Sequence, residues 1–155
     1  MRPFVNKHLF WTGIVAIAGA LLHIAIVFGG PDWYAFFGAP SGLVELARIG
    51  HPRAAISCLV IATFLFILAA YAFSGANVIR RLPLLRPVLA SIGLVLIARG
   101  ALFIPMILWR PDSLARICDC RSVDTFIIVT SILCLAMGLS YAAGALSLPS
   151  RVRTI

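Results

Sequence analysis

Four long apolar runs limit what this chain can become. Leu9–Phe28 closes at Gly29-Gly30-Pro31, and Ala54–Phe73 ends at Ser74-Gly75. Val88–Trp109 lies between Pro87 and Pro111, and Thr125–Leu148 closes at Pro149. A helix that crosses the hydrocarbon core needs about 20 mainly apolar residues, and each run meets that length. The runs are continuous, with no alternation of period two, which favours helices that satisfy their own backbone over barrel strands. Of the 155 residues 62% are hydrophobic and only 12% charged. A water-soluble domain of this size has too much surface to cover with so little charge. The expected fold is all-α: residues 1–155 as a single membrane domain, a bundle of four transmembrane helices. The first run follows Arg2 and Lys7 as a signal peptide would, but it is too long for such a core and is read as an uncleaved span.

The positive charges orient the bundle. Arg2, Lys7, Arg80, Arg81, Arg86, Arg151 and Arg153 fall on one side, with no acid among them. The other side sets Arg48, Arg53, Arg110, Arg116 and Arg121 against all five acids of the chain, Asp32, Glu45, Asp112, Asp119 and Asp124. Cytoplasmic loops carry the excess of Lys and Arg, so both termini and the connection at 74–87 are expected in the cytoplasm, with outer loops at 29–53 and 110–124. That bias accounts for the net charge of +8 without nucleic acid, since the basic residues are scattered in short clusters rather than gathered into one stripe. The inner-surface cluster from Arg80 to Arg86 is suited to anionic membrane lipid.

The first outer loop is long for so small a protein, and loops of that length fold locally or function. It carries Asp32-Trp33-Tyr34-Ala35-Phe36-Phe37, aromatic rings of the kind that tolerate the headgroup level. Ser41 is expected to cap a short helix over 42–49, with Gly50 as its stop and Pro52 beyond. Leu43, Val44, Leu46 and Ala47 give that helix an apolar side, so it should lie in the interface or fold over the bundle as a lid. The second outer loop holds Cys118 and Cys120, too close in sequence for a comfortable mutual disulfide. Cys58, one turn inside the second span, is within reach of either. A Cys-x-Cys pair without a neighbouring His or Met motif is a poor metal site, and no metal is expected. Cys134, near the middle of the fourth span, reads as a packing residue.

Two ionisable groups sit inside spans. Arg99 lies near the middle of the third, where its charge costs about 2.5–3.5 kcal/mol on insertion scales. It should face the bundle interior; Pro105, which frees the carbonyl of Ala101, offers one reason for a donor nearby. His23 shares a face with Ala16, Gly19 and Ala20, small residues that let membrane helices approach, and there it could hydrogen-bond a neighbouring helix. No acid lies within a span, so the charge on Arg99 has to be met from the outer loops or by an external anion. Arg99, His23, Asp32 and Glu45, under Trp33 and Tyr34, are therefore the candidate lining of an outward-facing pocket. The planar guanidinium suits a carboxylate, a phosphate or a quinone carbonyl.

The stretch from Gly29 to Ala39 resembles a loop of small bacterial four-span proteins of unknown function, and Ser74-Gly75-Ala76-Asn77-Val78-Ile79-Arg80-Arg81-Leu82-Pro83 is similar to their cytoplasmic connection. That resemblance implies a bacterial inner membrane. In size, span number, topology and an outer loop with cysteines the chain is also similar to DsbB-type quinone reductases, which implies a quinone. Those proteins carry Cys-x-x-Cys in the first outer loop, where this chain has no cysteine; Cys118 and Cys120 alone match in location.

No nucleotide-binding, metalloprotease or serine-hydrolase motif is present. The sequence therefore points to a non-enzymatic binding protein or accessory subunit that holds a lipid or quinone head group. Its partners would be membrane lipids, other membrane proteins or further copies of itself. A thiol/quinone oxidoreductase using the outer cysteines is the alternative, followed by an oligomeric small-solute transporter.

Overall fold

The structure, a computed structural model, describes residues 6–109 and 125–148. It is an all-α bundle in which four helices are long and apolar enough to cross a membrane. In chain order these are α1 (Lys7–Gly29), α4 (Pro52–Gly75), α5 (Leu85–Trp109) and α6 (Thr125–Ser147), with the short helices α2 (Pro31–Phe36) and α3 (Ser41–Arg48) between the first two. The chain is thus a multi-pass membrane protein. Its outward faces are apolar, with Phe64, Leu94 and Leu102 each more than 60% exposed. A surface of that kind is stable against lipid and unstable against water. Hydroxyls on the long helices turn back to their own backbone: Thr12 donates to the His8 carbonyl at 2.9 Å, Thr63 to Leu59 at 2.8 Å and Ser131 to Ile127 at 2.7 Å. Such bonds let hydroxyls sit in hydrocarbon at little cost.

The long helices form two tight pairs, α1 with α4 and α5 with α6. Small residues make both pairs. Ala16 and Ala20 on α1 and Ala62 and Ala69 on α4 are all buried. Between α5 and α6 the approach is backbone to backbone: a Cβ at Gly93 would lie 2.9 Å from the Ala142 nitrogen, and one at Gly100 would lie 2.9 Å from the Ser131 carbonyl oxygen. Without a hydrophobic drive between helices in lipid, such close packing supplies much of the association energy.

The pairs join at one end, hereafter the base. Leu9 of α1 is fully buried there with Ala72 of α4, Leu89 of α5 and Tyr141 and Ala145 of α6. Tyr141 ties the pairs together, its hydroxyl donating to the Leu68 carbonyl of α4 at 2.8 Å. The connection from α4 to α5 is also fixed. Asn77 takes the left-handed conformation (φ 60°), so that the Val78 nitrogen bonds the Phe73 carbonyl at 3.0 Å and the Asn77 nitrogen bonds Ser74 at 3.2 Å. This is the two-bond close of a helix end in which Asn stands in for Gly. Ser74, fully buried, donates its hydroxyl proton to the Arg80 carbonyl at 3.1 Å and accepts from the Leu82 nitrogen at 2.9 Å. Ser74→Ala strands both groups and is expected to cost about 1–3 kcal/mol, read as a lowered thermal unfolding midpoint in detergent.

The helix ends differ from the sequence expectation in instructive ways. The first interhelical loop holds two short helices rather than one. Gly30, with φ 72°, leads into Pro31 at the first position of α2, and Asp32 sits in the first turn. Proline pre-sets the helical φ and lacks only a proton that has no partner there, while an acid suits the positive end of the helix. Pro40, not Ser41, is the residue preceding α3. Pro87 lies inside the first turn of α5 rather than bounding it, for the same reason that Pro31 is tolerated. Both short helices close on left-handed glycines. The Ala39 nitrogen bonds Tyr34 at 2.9 Å past Gly38, and the His51 nitrogen bonds Leu46 at 2.8 Å past Gly50.

Candidate functional site

At the end away from the base, the two pairs stand apart, and α2 and α3 lie over the gap as a cap. The cap is built on the α1–α4 pair. Tyr34 is 3% exposed and packs with Ile26, Ala54 and Cys58, while Leu43, Val44, Leu46 and Ala47 of α3 pack around the same cluster. The apolar side expected of α3 is the side it buries; Glu45 and Arg48 remain exposed.

From there the cap reaches across to the other pair through aromatic rings. Phe126, at the start of α6, meets Phe36 and Phe37 with centroids 5.6 Å from each, in edge-on geometry. Phe37 also meets Phe36 at 5.0 Å and Trp33 at 5.8 Å. Edge-on pairs of this kind contribute about 0.5–1.5 kcal/mol each beyond the area they bury.

Beneath the cap lies a cavity of about 360 Å³. All four long helices contribute to its wall: His23 and Ile26 from α1, Cys58 and Ile61 from α4, Arg99 and Phe103 from α5, and Ile127 and Thr130 from α6. Tyr34, Phe37 and Leu43 of the cap form the roof. Helical rise explains why these positions meet. At 1.5 Å per residue, His23, Cys58 and Phe103 each lie about 9 Å inside the cap ends of their helices, and Arg99 about 15 Å inside.

The polar groups of this wall fall into two classes. Two hydroxyls are already engaged. Thr130 donates to the Phe126 carbonyl at 2.7 Å, and Tyr34 is hydrogen-bonded with the Cys58 thiol. Burial above all, and then that thiol, push the Tyr34 hydroxyl up to about 12. A phenol whose folded value exceeds the unfolded value of about 10 contributes stability that is complete below about pH 10 and is lost as the pH climbs toward 12. Alkaline titration of tyrosinate absorbance is therefore expected to show a late-ionising tyrosine whose ionisation accompanies loosening of the cap. In Tyr34→Phe that coupling disappears.

The other two groups have capacity to spare. His23 bonds the Gly19 carbonyl of its own helix through Nδ1 at 2.8 Å, not a neighbouring helix. A carbonyl only accepts, so Nδ1 carries the proton and Nε2 of the neutral ring is left as an acceptor. Arg99 rests its guanidinium 4.6 Å from the centroid of the Phe103 ring, one turn along α5. Among the described residues it makes neither an ion pair nor a hydrogen bond. The cation–π contact covers one face of the guanidinium and leaves its in-plane N–H donors available.

The residues expected to form a ligand site divide accordingly. His23, Tyr34 and Arg99 come together at the cavity. Asp32 is exposed in the first turn of α2, Trp33 lies over Gly29 on the cap's surface, and Glu45 is exposed on α3. None of these three lines the cavity, and neither acid pairs with Arg99. Cys58 is a free, buried thiol on the wall. Cys118 and Cys120 lie outside the described residues. α5 continues as helix through Pro105. Phe103 and Phe126 were not anticipated. Phe103 is legible in hindsight as the residue one turn from Arg99, whereas nothing in the sequence marks Phe126. Among the described residues no cluster of His, Cys, Asp or Glu is placed to hold a metal ion.

Comparison of the chain with protein-family models, with curated proteins and with solved structures gave no match. The functional reading rests on the cavity itself.

Proposed function

We propose that this chain is a non-enzymatic membrane binding protein or accessory subunit that holds the head group of a lipid or a quinone in the cavity beneath the cap. One observation carries the reading: Arg99 lies at mid-depth on the wall of a cavity that has no acid among the described residues of its lining, and a phenylalanine ring is its contact among those residues. An arginine kept at that depth is costly, and an external anion or strong acceptor offsets the cost best. His23 Nε2, an acceptor, suits a donor group elsewhere on the same occupant rather than the oxygen that Arg99 meets. The cap acts as a lid, hinged near Gly30 and Gly50, where the chain reverses at positive φ.

The location that goes with this reading is a bacterial inner membrane, with the base and both termini in the cytoplasm and the cap outside. The charge bias of the loops supports it. Cysteine introduced at exposed Ala35 should react with an impermeant maleimide added from outside, and cysteine at exposed Ile79 should not. The reverse pattern would invert the topology and the pocket's direction.

The binding reading is tested by native mass spectrometry of protein purified in mild detergent. A retained amphiphile of defined mass is the expected result, and protein stripped bare in every mild detergent tried would sink the reading. A thiol/quinone oxidoreductase is the second reading, favoured by the Cys58 thiol on the cavity wall. In that chemistry two thiols would pass two electrons and two protons to the quinone, leaving a disulfide and a hydroquinone. Alkylation of the same sample separates the two, since a redox role requires thiols that disappear when quinone is added.

A further inference from the structure

We infer that the occupant of this cavity is a bilayer-dissolved ring compound with a single anionic or strongly accepting oxygen group, and that it reaches Arg99 sideways, between α4 and α5. The inference rests on the binding reading above and narrows it.

The direction of access follows from which parts of the wall are covered. Above, the contact of Phe37 with Phe126 bridges the cap to α6. Below, the base is sealed by Leu9, Leu89 and Tyr141, all fully buried. Ile61 of α4 and Arg99 of α5 line the cavity and are nevertheless exposed. They lie about 14–15 Å inside the cap ends of their helices. An opening at that depth faces the hydrocarbon, not the water above it, because half of the apolar core is about 15 Å thick. Farther down, α4 and α5 meet in the base core, at Ala72, Leu85 and Leu89.

The occupant's chemistry follows from size and polarity. A volume of about 360 Å³ falls at the small end of ligand pockets, which run from about 300 to 1,000 Å³. That suits one or two fused rings and is far too small for a two-chain lipid. Phe37, Phe103 and Phe126 supply aromatic walls. With the hydroxyls of Thr130 and Tyr34 already engaged and His23 Nε2 an acceptor, Arg99 remains as the donor for an accepting group. Among the described lining residues there is one cation and no acid, which matches one negative charge. A sugar or amino acid would leave most of its polar groups without partners. A phospholipid keeps its phosphate at the headgroup level, well above Arg99.

The test uses naphthoate, a two-ring monoanion, with naphthyl methanol as its neutral counterpart. The full chain is reconstituted in nanodiscs of zwitterionic lipid, and binding is followed by tryptophan fluorescence. Naphthoate should bind at least about tenfold more tightly than the alcohol, and Arg99→Gln should remove that preference while Arg99→Lys restores part of it. Ile61→Trp, at an exposed site on the mouth, should slow association several-fold without lowering the unfolding midpoint. Equal binding of acid and alcohol overturns the inferred chemistry, and an unchanged association rate in Ile61→Trp overturns the inferred route. Should a co-purified phospholipid depend on Arg99 and resist displacement by naphthoate, this inference fails while the binding reading stands. Should neither naphthoate nor any retained amphiphile depend on Arg99, both fail.

Discussion

Gly138→Leu is expected to destroy the α5–α6 pair and with it the folded bundle. A Cβ at this position would lie 2.8 Å from the Ile97 nitrogen, 2.9 Å from Ile97 Cγ1 and 3.0 Å from the Gly93 carbonyl oxygen. Two of those three neighbours are backbone atoms of a helix that is itself held against Ala142, so no side chain can swing aside to relieve the clash. Overpacking that a core can absorb costs about 1–3 kcal/mol. Here the alternatives are parting the helices or burying the whole leucine side chain where there is no space, and the loss should exceed about 3 kcal/mol, a large share of a typical folding free energy. Gly138→Ala should fall within the range of about 1–3 kcal/mol. Leu139→Ala provides the contrast one residue along, at a side chain 56% exposed toward lipid, and should change stability by less than about 1 kcal/mol. Thermal unfolding of the three variants in one detergent checks the order. A Gly138→Leu protein that melts with the wild type would mean that the two helices do not approach as described.

That prediction also marks how far the sequence could be read. The four spans were legible because hydrocarbon imposes a length and a composition on any helix that crosses it. The structural boundaries fall within three residues of those read from the runs; the largest shift is at α5, where Pro87 proved to be a first-turn residue. The apolar side of α3 was legible from spacing in the same way. Its neighbour α2 is harder to see, because Trp33, Tyr34, Phe36 and Phe37 look like an interfacial loop, although Gly30-Pro31-Asp32 is an ordinary opening for a helix.

The cavity was legible only in part, for a definite reason. Sequence gives the depth of each residue along its helix, which is why His23 and Arg99 could be singled out. It does not give the rotation of one helix pair against the other or the splay between them. Those are set by close contacts such as Leu9 against Gly75 and Gly144 at the base, and by the rings that hold the cap to Phe126. Asp32 and Glu45 enter the sequence reading of the pocket by charge alone, because Arg99 calls for an anion and the first outer loop carries these two acids. The structure leaves both acids outside the cavity, exposed on the cap, where an isolated carboxylate is cheaper than in a buried wall. The need for an anion therefore passes to something other than the described part of the chain.

Arg99→Leu separates a functional arginine from a structural one. Insertion scales give the charged side chain a cost of about 2.5–3.5 kcal/mol at mid-span and make leucine slightly favourable there, so the variant should insert at least as well as the wild type. Against that gain stands the contact with Phe103, worth about 0.5–2 kcal/mol as a cation–π pair. Arg99 forms no hydrogen bond among the described residues that its removal would leave half-made. The balance predicts a bundle as stable as the wild type or more so, with an equal or higher unfolding midpoint. Binding should move the other way. Hydrogen bonds to a charged group contribute about 1.5–3 kcal/mol each, and the fork of a guanidinium can make two, so affinity for the retained ligand should fall by at least about a hundredfold. Unfolding midpoint and ligand occupancy, measured on the same preparation, thus carry opposite signs for a binding residue. A variant that melts early while keeping its ligand would assign Arg99 to the architecture of the bundle, and the search for what the cavity holds would then begin from His23.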